Sequence, residues 1–296
     1  MAVILRNLVV RVFRFVHLFS GHLREADLED WLSAYFADAG YMIEVVNVDV
    51  GFLGDHNLAD EVVGAEWRRR AAAGEFDGGH AGPPCGTWSR VRFRTGGPPP
   101  LRLRTHPWGR PRLTAGQLEK VGEANRMMRT AMGILKEVIM YGGSGTLEHP
   151  ADPGRAPFPS IWNTDEMRNW IGDLGLETVT FPQCMMGAAA KKETTIAGRA
   201  SDLEGHLQAR CGHAYHSATL SGKDETGKFR TKVSQAYPPE LCRRLALAHR
   251  DYIVARKEGE ERQLSEREAE EALQEWVARR SSAAELLPKS FAEALG

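Results

Sequence analysis

Apolar positions recur with two different periods along the early part of the chain. Val10-Arg11-Val12-Phe13-Arg14-Phe15-Val16 is a β-branched and aromatic run that leads to the turn Phe19-Ser20-Gly21, and it predicts a strand. Leu28, Trp31, Leu32, Tyr35 and Phe36 then fall at helical spacing behind Asp27, a residue suited to cap a helix. Tyr41 to Val50 (YMIEVVNVDV) is rich in valine and closes on Asp49, which predicts a second strand. Asp60 to Ala73 reads as a helix, and the glycine-rich stretch Phe76 to Ala81 as a short third strand. Strand–helix–strand–helix–strand predicts an α/β fold, a mostly parallel sheet with helices on both faces.

The middle of the chain breaks this rhythm. Arg90 to Arg112 (RVRFRTGGPPPLRLRTHPWGRPR) is too dense in glycine, proline and arginine for a regular element. Thr114 and Gln117 then form a capping box. Leu118, Val121, Met128, Leu135 and Val138 continue at helical spacing. Gly143 to Glu148 reads as a strand that runs into His149-Pro150. Thr164 caps a helix carrying Met167, Trp170, Ile171 and Leu174, and Leu176 to Phe181 is a further strand. Pro238-Pro239 opens a helix with Leu241, Leu245, Ala248 and Tyr252 on one face, proline being suited to a first turn. Beyond Lys257 charge dominates, which predicts a solvated helical tail over 257–296.

Bulk composition narrows the class. The chain has 296 residues, a formal net charge of −1 and 42% hydrophobic residues, enough for one large domain with an appendage. The near-zero charge does not announce a nucleic-acid binder, so any such surface must come from local basic clusters. Cys85, Cys184, Cys211 and Cys242 are too scattered for a disulfide scaffold and point to a reducing, intracellular setting, nucleus or cytoplasm. No apolar run is long enough for a membrane span. Met1 to Arg24 contains Arg6, Arg11, Arg14 and Arg24 without an acid, as transit peptides do; the strand reading of 10–16 is preferred.

Three predicted strand ends carry polar, irregular peptides: His17-Leu18-Phe19-Ser20-Gly21, Gly82-Pro83-Pro84-Cys85, and Leu147-Glu148-His149-Pro150. In open α/β sheets ligands bind beyond the carboxyl ends of strands. A cysteine held behind two prolines sits on stiff backbone, and a positioned thiol suits nucleophilic chemistry. In this order the segments resemble the DNA (cytosine-5) methyltransferase family, with its Phe-x-Gly turn, its Pro-Pro-Cys nucleophile and its Glu-Asn-Val-type tripeptide. The Gly-Pro-Pro-Cys-x-Thr-x-Ser-Arg and Glu-x-Pro forms resemble its divergent phage- and retroelement-associated branch. Gly175 to Gly198 (GLETVTFPQCMMGAAAKKETTIAG) and Ser234 to Ala246 (SQAYPPELCRRLA) resemble two later motifs, so the likeness covers about residues 14 to 250.

The resemblance implies a Rossmann-like S-adenosylmethionine-dependent methyltransferase domain over 1–256. Cys85 would add to carbon 6 of a flipped-out cytosine, and Glu148 would hold its pairing edge. Phe19, Ser20, Gly21, Asp49 and Pro83 would bind S-adenosylmethionine, with Asn57 or Asp60 reaching the adenine. Lys191 and Lys192 would hold the base or its phosphate. DNA, or alternatively RNA, is the implied partner, with no membrane. Because a free thiol titrates near pH 8.5, Arg90 and Arg92 are the nearest candidates in sequence to lower Cys85. They and the rest of the arginine loop would also contact phosphate, whereas Trp88 fits packing better than stacking.

Several positions depart from the family pattern. His17 replaces an aspartate, His22-Leu23-Arg24 replace glycines, Gly86 replaces a glutamine and His149 an asparagine. Lysines and Thr194 stand where the family has arginines, and the recognition insert, about 199–233, is very short. Three other readings stay open: a nucleic-acid-binding module that has lost its cofactor, a hydrolase pairing Cys85 with His80 or His149, and an interaction protein clipped by zinc. For zinc, Cys184, Cys211, His213 and His216 are the candidate ligands. A polar loop without metal is the favoured reading of that segment.

Overall fold

The computed structural model describes residues 12–51, 56–220, 222, 225, 227 and 230–285. Residues 1–11, which carry most of the targeting-like reading and the start of the first predicted strand, lie outside the described residues, as does the end of the charged tail, 286–296.

Six strands form one sheet: β1 (Val12–Leu18), β2 (Met42–Val48), β3 (Gly78–Ala81), β4 (Ser144–Pro150), β5 (Glu177–Pro182) and β6 (Glu193–Arg199), in the order β2-β1-β3-β4-β6-β5. The first four in that order run parallel, and β6 is antiparallel to both β4 and β5. This is the mostly parallel sheet expected from the alternation of strand and helix, and it is Rossmann-like, as the resemblance implied. Strand β6 has no periodic signal in the sequence. Its sequence, Glu193-Thr194-Thr195-Ile196-Ala197-Gly198-Arg199, has little hydrophobic signal, and its pairing on both edges makes it a strand.

The helices begin where their caps stand. Asp27 accepts from the amides of Glu29 and Asp30 at the start of α1 (Leu28–Asp38), and Asp60 from Val62 and Val63 at the start of α2 (Glu61–Ala72). Thr114 and Gln117 make the expected reciprocal box on α3 (Ala115–Met140), and Thr164 caps α4 (Asp165–Leu174); each cap contributes about 1 kcal/mol. A short α5 (Leu203–Leu207) precedes α6 (Pro239–Glu285).

Alternation along β1 sends its side chains to two layers. Val16 and Leu18 join the core formed with Leu135 of α3, Trp67 of α2 and Trp170 of α4. Phe13 and Phe15 point the other way, Phe13 packing tilted against Phe36 of α1 with ring centres 5.3 Å apart and Phe15 edge-to-face with His249 of α6 at 4.8 Å. Each such fully buried side chain contributes about 1.5–3 kcal/mol. Contacts divide the chain after Ile253. The second unit, from Val254, is the charged end of α6. Its helix carries i,i+4 pairs Arg256–Glu260, Lys257–Glu261 and Arg267–Glu271, each contributing a few tenths of a kcal/mol. Among the described residues no helix is long and apolar enough to cross a membrane.

Register places the site. Leu18 pairs with Val48 on one side and Ala81 on the other, and Ala81 pairs with Leu147. The next residues, Asp49, Phe19, Gly82 and Glu148, therefore stand level along the carboxyl edge of the parallel strands.

Candidate active site

That edge forms the floor of a cleft of about 1790 Å³, whose walls include Phe19, Gly21, Asp49, Cys85, Glu148 and Lys192. The three oddly shaped strand ends picked from sequence thus open into one cavity, and Pro83 and Ser20 line it too.

Cys85 is half-buried, on a turn closed by the Trp88 amide donating to the Cys85 carbonyl at 2.9 Å. Burial pushes its thiol above the ordinary value; the nearby Lys192 ammonium pulls it back, and the Glu148 carboxylate adds to the rise. The expectation that Arg90 and Arg92 lower this thiol is corrected here. Both line the cleft, but Arg92 donates to the carbonyls of Gly86 and Pro99 at 2.7 and 3.0 Å, and the positive charge felt by the sulfur is that of Lys192.

Glu148 is 4% exposed. Its Oε1 lies 3.3 Å from Lys192 Nζ, and its Oε2 accepts from the Tyr237 hydroxyl at 3.2 Å. Burial alone would lower the Lys192 ammonium, but Glu148 and Cys85 outweigh it and hold it above its ordinary value. Lys191 behaves differently: it is on the surface, paired with Glu193 at 2.8 Å.

Behind Glu148 a line of buried polar groups crosses the sheet into α6. Tyr237 Oη is 3.2 Å from His80 Nε2, and His80 Nδ1 is 2.8 Å from Thr146 Oγ1. Thr146 Oγ1 is 2.9 Å from His249 Nε2, and His249 Nδ1 is 2.8 Å from Ser144 Oγ. A carboxylate only accepts, so it fixes every donor in turn. Tyr237 donates to Glu148, His80 Nε2–H to Tyr237, the Thr146 hydroxyl to His80, His249 Nε2–H to Thr146, and the Ser144 hydroxyl to His249. Burial keeps both imidazoles neutral, His249 at about 3 and His80 well below its ordinary value. Burial, then Glu148, holds the Tyr237 phenol well above its ordinary value, so it remains a donor. Gly82 is required beside this line, since a Cβ there would overlap the Tyr237 hydroxyl.

The hydrolase reading loses its base at this point. His80 has both ring nitrogens engaged. His149 is 1% exposed, stacks edge-on against Trp88 at 5.7 Å, and is driven by burial to about 3.

The other end of the cleft is shallower. Asp49 Oδ2 accepts from the Gly21 amide at 3.2 Å and Oδ1 from the Gly51 amide at 2.9 Å. Gly21 has φ +69° with open space where a Cβ would be, and Phe19 also has positive φ, 58°. Arg24, in place of an expected glycine, donates to the Tyr237 carbonyl at 2.8 Å. Asn57 and Asp60, suggested for the adenine, do not line this cleft; their side chains accept from backbone amides, Asn57 from Ala59 and Asp60 at the α2 cap.

The arginine loop is only partly a surface feature. Arg102 is fully buried, donating to Thr87, Asn125 and the Pro107 carbonyl, with its guanidinium 4.1 Å from the Trp88 ring. Burial lowers it to about 9. Arg104 pairs with Asp152 at 2.9 Å. These two hold the loop in place and are not phosphate contacts, which leaves Arg90, Arg92 and Arg94 at the cleft. Trp88, 4% exposed, is packing, as expected.

No protein-family model matches the chain, and no curated protein does. Among solved structures it is similar to the crystal structure of S. pombe Dnmt2 methyltransferase. The similarity has a TM-score of 0.36 and 8% identity over 70% of this chain, and the chain spans 57% of that one. An overlap of that size says nothing of activity, so the reading below rests on the cleft.

Sequence reasoning missed Tyr237, Thr146 and His249. Tyr237 lies just before Pro238-Pro239, in a segment whose helix was foreseen, but nothing local marks a tyrosine as the partner of a carboxylate 89 positions away.

Proposed function

We propose that this chain is a methyltransferase acting on carbon 5 of cytosine in nucleic acid, with Cys85 as nucleophile. The observation that carries the proposal is the convergence of Cys85, Glu148 and Lys192 in one cleft at the carboxyl ends of β3 and β4.

The chemistry follows from those three groups. Cytosine carbon 5 is a poor nucleophile. Addition of the Cys85 thiolate to carbon 6 moves the ring's 5,6 electron pair toward carbon 5 and makes the ring an enamine. Glu148, held by Lys192 and Tyr237, accepts a hydrogen bond from the exocyclic amine and keeps a proton at ring nitrogen 3, so the electron pair has a sink during addition. Lys192 offers its positive charge to both the thiolate and the carboxylate, opposing the effect of burial on the sulfur. Carbon 5 would then take up the methyl group as its carrier leaves; loss of the carbon 5 proton to a base and departure of the thiolate restore the aromatic ring. A base reaches such a cleft only out of the stack, at a cost of a few kcal/mol, and Arg90, Arg92 and Arg94 on the rim suit the flanking phosphates.

S-adenosylmethionine would supply the electrophilic methyl group. The shallow end fits it in two respects: Asp49 keeps a free lone pair on each oxygen for ribose hydroxyls, and the Gly21 turn leaves open space beside it. Phe19 and Ser20 would line the remainder.

The test is covalent trapping on DNA containing 5-fluorocytosine, where fluorine replaces the carbon 5 proton and cannot leave as a cation, so the thiolate is not eliminated. A stable adduct that needs S-adenosylmethionine and maps to Cys85 is expected. Tight cofactor-independent binding without an adduct would replace this reading with that of a nucleic-acid-binding module.

A further inference from the structure

Away from the reacting groups, the short insert brings four soft and borderline ligands together. Cys184 is buried in the turn Gln183–Met186 that follows β5, and Cys211, His213 and His216 lie in the irregular segment after α5. One ligand atom from each of the four lies within 4.8 Å of all the others. Cys211 Sγ is 3.4 Å from His213 Nδ1 and 3.3 Å from His216 Nε2, and the two imidazoles stand nearly perpendicular, ring centres 5.4 Å apart at 78°. With Zn–S near 2.3 Å and Zn–N near 2.0–2.1 Å, a tetrahedral site puts sulfur and nitrogen about 3.5 Å apart. The observed separations match that edge.

We propose that Cys184, Cys211, His213 and His216 bind a structural zinc ion. Two thiolates and two neutral imidazoles complete a tetrahedral set and leave no open position for substrate, the pattern of a structural rather than a catalytic site. His213 coordinates through Nδ1 and His216 through Nε2, and the two thiol protons are released on binding.

The ion explains how so short an insert keeps a shape. The segment around Cys211 has little regular structure, and its described backbone is tied to the domain chiefly at Ala189, which accepts from the Ala218 amide at 3.1 Å. Zinc fastens that segment to the end of β5, so that His216 and Ala218 form a wall of the cleft beside Lys191 and Lys192. The sequence favours a metal-free polar loop because nothing in it shows that Cys184 comes close in space; the fold brings the four ligand atoms together. The site does not depend on the methyltransferase reading; either could fail alone.

Metal analysis of the full chain, purified under reducing conditions without a metal-affinity step, tests the proposal. One zinc per chain is expected. Cobalt(II) added to the metal-free chain should give the intense visible bands of a tetrahedral thiolate site. C184S and C211S should each lose them, while C242S keeps them. Because a ligand variant can simply unfold, the native chain provides the second measurement: added zinc should shield Cys184 and Cys211 from alkylation, mapped by peptide. Absence of stoichiometric zinc, metal retained in a C184S/C211S double variant, or unchanged labelling of Cys211 with zinc present would each overturn it.

Discussion

The two ends of the cleft are built on different principles. At the Cys85–Glu148 end the carboxylate and the polar groups behind it are buried, and each is answered by another: Glu148 by Lys192 and Tyr237, Tyr237 by His80, and His80 by a line that ends at Ser144 on the far side of the sheet. At the Phe19–Asp49 end the groups are half-exposed, and Asp49 is held by loop amides alone. Burial makes an unpaired charge expensive, so the deep end tolerates little change and is fixed before any substrate arrives. The shallow end spends no such cost and can accommodate His22, Leu23 and Arg24 where glycines were expected. Deep-end variants should therefore change turnover, and shallow-end variants apparent affinity.

The largest expected effect comes from C85S, which removes the nucleophile: a rate loss of about 10⁴-fold or more, with the melting temperature within a degree or two of the parent and no trapped adduct. Turnover near the parent level would remove Cys85 from the chemistry. E148Q should reduce kcat by roughly 10²–10³-fold with little change in nucleic-acid affinity by titration; equal losses in both would make Glu148 a binding group.

Next is the pH dependence of the deep end. Burial depresses His249 and His149 to about 3 and His17 to about 4, from an ordinary value of 6.5. Over that interval the unfolded chain binds more protons than the folded one, so stability is fully present above pH 6.5 and falls as pH drops toward 3. Denaturant midpoints across that range should decline steadily, and a flat profile would mean these imidazoles are not buried. Y237F is expected to cost about 1–3 kcal/mol of stability, because it leaves buried partners on Glu148 and His80 unanswered, and to slow turnover about tenfold.

The smallest effect belongs to the shallow end. D49N should raise the KM for S-adenosylmethionine several-fold while leaving kcat near the parent value. A kcat loss as large as that of E148Q would erase the distinction between the two ends.

Local pattern made much of this molecule legible. Caps at Asp27, Asp60, Thr114 and Thr164, the period-2 run into Phe19 and the Pro-Pro before Cys85 all act over a few residues, so they specify elements and strand-end peptides wherever they occur. From these followed the parallel sheet; that Cys85 and Glu148 would act on one base was implied only by the family resemblance. What sequence by itself did not determine depends on pairs far apart along the chain. Lys192 neutralises Glu148 because β6 folds back antiparallel beside β4. Tyr237 reaches Glu148 and His80 because α6 starts over the sheet edge. Arg102 lies beneath Trp88 instead of on a phosphate, and Cys184 meets Cys211. A side chain's charge and donors are fixed by its type, but whether they face water, substrate or another buried group is decided by packing alone. Only the tertiary structure could make that choice.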